Sequence, residues 1–452
     1  MSQPGSRGAR QARWHRLGWV AAAAIIAIVA GVIAMTAARE PVLFAGLSAL
    51  RLRIAAIIVF AATYIVIALG KLPGFYLDRA GAALLGAALM VGFGVLPFDR
   101  AVRAIDFETI ALLLGMMIVI GNLRLSGFFR LVTRRAATHA HHPLMLLAAV
   151  ILTSGFFSAF LVNDTICLAL TPLVLDLVVR LQRDPLPYLL GVAMASNVGS
   201  LATITGNPQN IMIGSFSTIP YAAFGAALAP VAAIGLILTF GLIALLHPAE
   251  FRTREKLRGG LMPAHAHRPL MIKSVVATAA MMTGFLAGQP PAKIALVAGG
   301  LLLVTRTVKS GKIYREIDWP LLVMFAGLFV VVAGFEQVLL SPGLIAAIGH
   351  WHLDQMPVLA LVTAVLSNLV SNVPAVMALK PFAAALPDQQ HAWLVIAMSS
   401  TLAGNLTILG SVANLIVVQR AARQAVTIGF WQYFRVGAPL TVLTITIGLL
   451  WL

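Results

Sequence analysis

The polar residues whose spacing suits ligand binding lie in the middle of apolar runs. One block reads Ser196-Asn197-Val198-Gly199-Ser200 and then Thr203-Ile204-Thr205-Gly206-Asn207-Pro208-Gln209-Asn210. A second reads Ser399-Ser400-Thr401, then Gly404-Asn405-Leu406-Thr407-Ile408-Leu409-Gly410-Ser411, and reaches Asn414. Amide and hydroxyl groups both donate and accept hydrogen bonds without carrying a fixed charge. Glycine permits non-helical dihedrals and Pro208 removes a backbone donor, so each block is expected to break a helix and free backbone groups for a solute. Two further polar tips lie in apolar hairpins with no basic or glycine-rich turn between their limbs: Ser158 leading to Asn163-Asp164-Thr165, and Ser367 leading to Ser371-Asn372. The candidate binding residues are therefore Ser158, Asn163, Asp164, Thr165, Gly199, Thr205, Gly206, Asn207, Asn210, Ser367, Ser371, Asn372, Gly404, Asn405, Thr407, Ser411 and Asn414. Helix packing through glycine, serine and asparagine competes with this reading at any single position. Recurrence at matched positions favours a site.

Asp164 is the first carboxylate of its hairpin, ahead of Asp176. A buried ionised carboxylate is costly unless it is paired or can take a proton or cation, so Asp164 is a candidate proton or ion site, with helix N-cap as the alternative. Lys380 either attracts an anion or extends its ammonium to the surface. Asp106 and Asp318 precede apolar helices and read as N-caps. His139, His141, His142, His265 and His267 fall in loops and read as solvated side chains, so no transition-metal site is expected. The single cysteine, Cys167, excludes an intramolecular disulfide. No glycine-rich loop ending in Gly-Lys-Ser/Thr is present, and no nucleophile stands with a base, so neither ATP hydrolysis by that route nor an enzyme is expected. Cofactors are expected to be none. Energy would come from an H+ or Na+ gradient unless a separate ATPase subunit assists.

These residues need elements to hold them, and the elements are membrane helices. Of 452 residues, 60% are hydrophobic and 10% charged, against roughly 45 to 50% and about 25% in soluble domains. Apolar runs reach about the 20 residues that span hydrocarbon as a helix. Spans are expected at 18–37, 54–70, 80–97, 107–123, 186–214, 221–247, 269–289, 292–308, 318–338, 392–418 and 430–452, with hairpins at 143–183 and 356–387. The net charge of +17 is explained by topology. With the N-terminus in the cytoplasm, the inside loops collect most Lys and Arg, among them Arg7, Arg124, Arg130, Arg183, Arg254, Lys256, Arg315 and Arg420, while the outside keeps Arg39, Arg51, Arg53, Arg100, Arg103 and Lys293. That is the positive-inside pattern of a multi-pass protein of the cell inner membrane, and it removes the reason to invoke nucleic acid. The first apolar run is longer than a signal-peptide core and reads as a retained helix.

The chain also repeats itself. Ile105-Asp106-Phe107 matches Ile317-Asp318-Trp319; Asn163 with Ala169-Leu170-Thr171-Pro172 matches Asn372 with Ala378-Leu379-Lys380-Pro381; Asn210 matches Asn414, at offsets that shrink from 212 to 204 residues. The expected organisation is a tail and extra helix at 1–50, repeat 1 at 51–250 with the broken helix 186–214, a basic loop at 251–268, and repeat 2 at 269–452 with the broken helix 392–418. An odd number of crossings per repeat inverts the second copy. The fold class expected is an all-α polytopic membrane protein with about 11 transmembrane helices and two re-entrant hairpins in two inverted repeats.

Phe160-Leu161-Val162-Asn163-Asp164-Thr165, Thr205-Gly206-Asn207-Pro208-Gln209-Asn210, Leu369-Val370-Ser371-Asn372-Val373-Pro374 and Ala403-Gly404-Asn405-Leu406-Thr407-Ile408-Leu409-Gly410-Ser411 resemble the ion-transporter superfamily. Its branches include citrate transporter-like permeases, divalent anion:sodium symporters, arsenite permeases and Na+/H+ antiporters. The resemblance is nearest to the citrate transporter-like anion permeases and covers nearly the whole chain after about residue 50. It implies a secondary transporter of a small anion, coupled to protons or sodium and moving by an elevator-type displacement. A cation/proton antiporter or arsenite efflux permease is the alternative, and a separate ATPase subunit is expected only for the arsenite type. Asn163 and Asn372 match signature asparagines at hairpin tips and would be the sodium positions. Val162, Asp164 and Val373 replace signature hydroxyls, the Asn-Asp pair is closer to the arsenite and citrate-like branches, and proton coupling through Asp164 follows as a hypothesis. Expected partners are the small anion and the lipid bilayer, with a homodimer left open.

Overall fold

The computed structural model describes residues 45–70, 75–252, 266–306, 308–339 and 352–452. The expected helix at 18–37 with the arginines around it, Lys71, and most of the basic loop 251–268, His265 included, lie outside the described residues.

All regular structure among the described residues is helical. In chain order the first half contains α1 (Ala45–Leu69), α2 (Arg79–Gly92), α3 (Phe98–Ala104), α4 (Phe107–Leu125), α5 (Phe128–His139), α6 (Pro143–Phe160), α7 (Asn163–Arg180), α8 (Pro185–Ser200), α9 (Pro208–Ser217), α10 (Tyr221–Leu246) and α11 (Pro248–Phe251). The second contains α12 (Arg268–Leu286), α13 (Pro291–Leu303), α14 (Ser310–Tyr314), α15 (Trp319–Leu339), α16 (Met356–Val370), α17 (Asn372–Ala383), α18 (Gln389–Ala403), α19 (Val412–Ala422) and α20 (Phe430–Trp451). Seven of these are long and apolar enough to cross a membrane: α1, α4, α6, α10, α12, α15 and α20. The predicted spans at 80–97 and 292–308 form the shorter apolar helices α2 and α13. Those at 186–214 and 392–418 are each broken in two, into α8 with α9 and α18 with α19. The protein is a polytopic all-helical membrane protein, as its composition requires.

Among the described residues the two halves run through matching elements, α5 and the short α11 excepted. Each break contains a single 3-10 turn, Ile204–Gly206 in the first copy and Ile408–Gly410 in the second. Each hairpin has a proline inside its second limb, Pro172 in α7 and Pro381 in α17. The limbs are joined tightly, by Leu161-Val162 in the first hairpin and by Ser371 in the second. At 1.5 Å per residue α7 rises about 27 Å and α17 about 18 Å, against a hydrocarbon thickness of about 30 Å.

The chain folds into two compact units that cut across the repeats. The first holds α1 to α3 and α15. Ala55, Ala56, Val59, Ala87, Met90, Val330 and Val331 form its core, and α15 crosses α2 so closely that a Cβ on Gly327 would lie 2.6 Å from the Ala83 carbonyl carbon. The second unit holds α4 to α14 and α16 to α20. Here α4 crosses α13, and a Cβ on Gly115 would lie 2.4 Å from the Ala295 carbonyl carbon. Gly115 and Ala295 are the repeat mates of Gly327 and Ala83, so one small-residue crossing is built twice, each time between helices from opposite halves. Lipid offers apolar side chains no reason to prefer protein over tails, and close backbone approach through small residues supplies the packing instead.

Candidate functional site

The second unit brings both helix breaks and both hairpin tips to one place. The first break is made by its own side chains. Asn207 caps α9, its Oδ1 accepting from the Asn210 backbone N–H at 2.8 Å. Asn210 Nδ2 then donates to the carbonyl of Ser200 (3.2 Å), at the end of α8, and to that of Thr203 (3.1 Å), which also accepts from Gly206 N–H in the turn. The second break repeats this: Ser411 Oγ accepts from Ala413 N–H at 3.2 Å, and Asn414 Nδ2 donates to the carbonyls of Gly404 (2.7 Å) and Thr407 (3.1 Å). Gly206 fits its turn because a Cβ there would sit 2.0 Å from the Ser200 carbonyl oxygen.

The two breaks are bonded to each other. Asn197 Nδ2 donates to Asn405 Oδ1 (3.0 Å) and Asn414 Oδ1 (2.9 Å), while its Oδ1 accepts from Ser411 Oγ (3.1 Å) and Asn163 Nδ2 (3.0 Å). Its repeat mate, Thr401, makes the reciprocal contacts. Thr401 Oγ1 accepts from Asn207 Nδ2 (3.1 Å) and Gln209 Nε2 (3.3 Å) and donates to Asn210 Oδ1 (3.4 Å). Ser200 joins the two centres, its Oγ donating to the Asn197 carbonyl at 2.8 Å and accepting from Asn207 Nδ2 at 3.0 Å.

The hairpin tips enter the same network. Asn163, first residue of α7, bonds Asn197, and Ser158 shares a 2.7 Å bond with Ser196, whose Oγ donates to the Asn163 carbonyl at 3.2 Å. Thr203 donates to the Ala159 carbonyl, and Thr205 bonds the Tyr221 hydroxyl at 2.8 Å. At the second tip Asn372, first residue of α17, has an amide orientation that satisfies both its ends: Nδ2 donates to the carbonyls of Ser400 and Gly410, and Oδ1 accepts from Gln209 Nε2, each at 3.1 Å. Asn368 Nδ2 donates to the Ala403 carbonyl at 2.9 Å, and Thr407 donates to Asn368 Oδ1 at 3.3 Å. Ser371 holds φ 76° and ψ 159° at the turn, a region populated almost exclusively by glycine and costing about 1 to 3 kcal/mol.

The expected site residues thus separate. Ser158, Asn163, Thr205, Asn207, Asn210, Asn372, Asn405, Thr407, Ser411 and Asn414 bond within this assembly, and Gly206, Gly404 and Ser371 shape its backbone. Gly199 acts in packing, since its missing Cβ admits the Gly155 backbone from α6. Ser367 is fully buried with no partner for its Oγ, and Asn163 Oδ1 is in the same condition. Thr165 and Asp164 are half-buried on the first turn of α7. The cap position of that helix is Val162, so Asp164 is the second residue of the helix and not its N-cap. Lys380 lies 5.0 Å from the Phe216 ring centroid, a cation–π contact. His142 caps α6, its Nδ1 accepting from Leu144 N–H at 3.2 Å. Asn197, Thr401, Ser196, Ser200, Gln209 and Asn368 were not among the expected site residues. Asn197 and Thr401 could have been found: they are polar, they share the 204-residue offset of Asn210 and Asn414, and they stand one turn before the breaks.

No charged side chain takes part in the bonds described. What the site has instead is the start of four helices, α7, α9, α17 and α19, whose first or capping residues are Asn163, Asn207, Asn372 and Ser411. A helix N-terminus carries roughly half a positive charge. Beside the first break a cavity of about 350 Å3 opens next to Tyr221, Ile204, Thr109 and Glu108.

The comparisons agree with this architecture. A 46 kDa membrane protein of Mycobacterium leprae is 30% identical over 425 residues, covering 88% of this chain and 98% of its own. The silicon efflux transporter LSI3 of Oryza sativa subsp. japonica is 28% identical over 451 residues, covering 84% of this chain and 93% of its own. The crystal structure of the YdaH transporter of Alcanivorax borkumensis matches the fold with a TM-score of 0.53 at 16% identity, over 89% of this chain and 97% of that one. The citrate transporter family matches residues 64–403, which take in both hairpins, the first break and the helix that enters the second, and with that match the chain belongs to the citrate transporter family.

Proposed function

We propose that this transporter carries a small anion, a di- or tricarboxylate or an inorganic oxyanion, by secondary active transport driven by a proton or sodium gradient. The supporting observation is the meeting of four helix N-termini on one uncharged amide and hydroxyl network. An anion entering the bilayer must replace its water with donors, and oriented N–H groups and amides do so without an ion pair that would hold it too tightly to leave. Asn163 Oδ1, buried and without a partner, is an oxygen available to sodium. Asp164, on the first turn of α7, is the carboxylate that would take up a proton on one side of the membrane and release it on the other. The hairpins and broken helices would move together against the remaining helices, re-entrant tips carrying the solute across in the plasma membrane with the N-terminus cytoplasmic.

Proteoliposomes given labelled citrate, succinate, sulfate and phosphate under separate proton and sodium gradients test this directly. Gradient-dependent accumulation of at least one is expected, and accumulation of none rejects the proposal. A second reading, efflux of an oxygen-rich metalloid acid or cation/proton exchange, draws on the same lack of a fixed cation in the network and on the likeness to a silicon efflux transporter. Asp164→Asn separates mechanisms. Loss of exchange with retained folding is expected for a carboxylate-driven cycle, while unchanged transport in the variant argues for sodium or an uncoupled path.

A further inference from the structure

A second cavity of about 350 Å3 lies in the same unit as the network and is lined by Arg124, Arg130 and Arg420, with Glu316 the one carboxylate in its wall. Arg124 Nη1 pairs with Glu316 Oε2 at 2.7 Å, which accounts for one positive charge and leaves two. Neither Arg130 nor Arg420 has an ion-pair partner among the described residues. Partial burial, then the charges of Arg423 and Arg124, hold the Arg420 guanidinium below its usual value despite Glu316 nearby. The space is short of negative charge.

Its other wall is α7, through Leu168, Ala169, Pro172 and Leu173. Both α7 and α19, which carries Arg420, therefore reach the central network with their first turns and line this cavity further along, α7 at its middle and α19 near its C-terminal end. From Asn163 to Pro172, and from Asn414 to Arg420, the rise is about 14 and 9 Å. The positive-inside bias explains why arginines gather at these helix ends and beside them. It does not explain why three of them converge on a concavity walled by the two helices that hold Asn163 and Asn414. The cavity beside the first break makes the contrast: no Lys or Arg lines it, and it carries Glu108.

We propose that the arginine-lined cavity is an anion-binding site, taking a small carboxylate or oxyanion and holding it beside the middle of α7 and the C-terminal turn of α19, as a loading station for the central network. The loading role rests on the anion reading given above; the binding itself does not. Arginine suits this task because its planar fork pairs with two carboxylate or phosphate oxygens at once.

The test is arginine-selective modification of the full chain in detergent by phenylglyoxal, read residue by residue by peptide mass spectrometry. Citrate, inorganic phosphate and sulfate serve as probes, and the exposed Arg103 as internal control. At millimolar citrate or phosphate, modification of Arg130 and Arg420 is expected to slow five- to tenfold with Arg103 unchanged, and Arg420→Gln is expected to abolish the protection of Arg130. Arg420→Lys should restore part of it. Equal modification rates with every probe overturn the proposal. So does protection by phosphatidylglycerol in mixed micelles but by no soluble anion, which would make the cavity a lipid headgroup site. Because protection is read without transport, failure of every anion in proteoliposomes would reject the proposed function and leave the binding result standing.

Discussion

Asn197 satisfies all of its hydrogen-bonding capacity with four partners, three of them in the other half of the chain. Removing its amide strands Asn163, Asn405, Asn414 and Ser411 together, and each buried polar group left without a partner costs about 1 to 3 kcal/mol. Asn197→Ala is therefore expected to lower the thermal midpoint of the purified protein clearly and to abolish transport. Thr401→Val, close in shape and stripped of one hydroxyl, should cost about 1 to 3 kcal/mol and reduce transport without unfolding. Equal midpoints for wild type and both variants in a detergent melt would refute the picture of one shared network. The amides of Asn163, Asn210 and Asn414 were legible in the sequence because each recurs in the other half beside a helix breaker, while Asn207 recurs as Ser411. Asn197 and Thr401 were harder, since a lone amide inside an apolar run is equally suited to ordinary helix packing.

At the scale of elements, two different uses of glycine can be told apart. Gly115 is buried under the Ala295 backbone, whereas Gly300 in α13 has nothing within 4 Å of the place its Cβ would occupy. Gly115→Ala must push α4 and α13 apart, at about 1 to 3 kcal/mol for overpacking. Gly300→Ala meets open space and gains helix propensity of up to about 1 kcal/mol. Paired melts of the two variants should shift in opposite directions; a common direction would mean that the crossing is loose. The sequence announced the breaks at 199–210 and 404–414, yet hydropathy alone drew each as one continuous span. Composition averages over a break, and only the capping bonds of Asn207 and Ser411 show where one helix stops and the next begins. The short helices α2 and α13 were expected but drawn too long at their C-terminal ends, for a related reason. Their apolar runs continue past the last residue that keeps helical geometry.

For the whole molecule, a cytoplasmic N-terminus with the expected number of spans would put the C-terminus after α20 on the outer face. A C-terminal alkaline phosphatase fusion is expected to be active in cells, and a fusion in the basic loop 251–268 inactive; the reverse would invert the proposed orientation. The sequence by itself determined that lipid is the solvent, that the chain is a repeat, and which amides and glycines recur, because composition, charge asymmetry and register are properties of the chain and survive without coordinates. Tertiary structure alone decided which copies touch. Small-residue crossings pair α4 with α13 and α15 with α2, each from opposite halves, and the two breaks bond across the repeat through Asn197 and Thr401. Contacts between residues some two hundred positions apart depend on how helices pack, and close backbone approach sets that packing; local pattern carries no record of the partner.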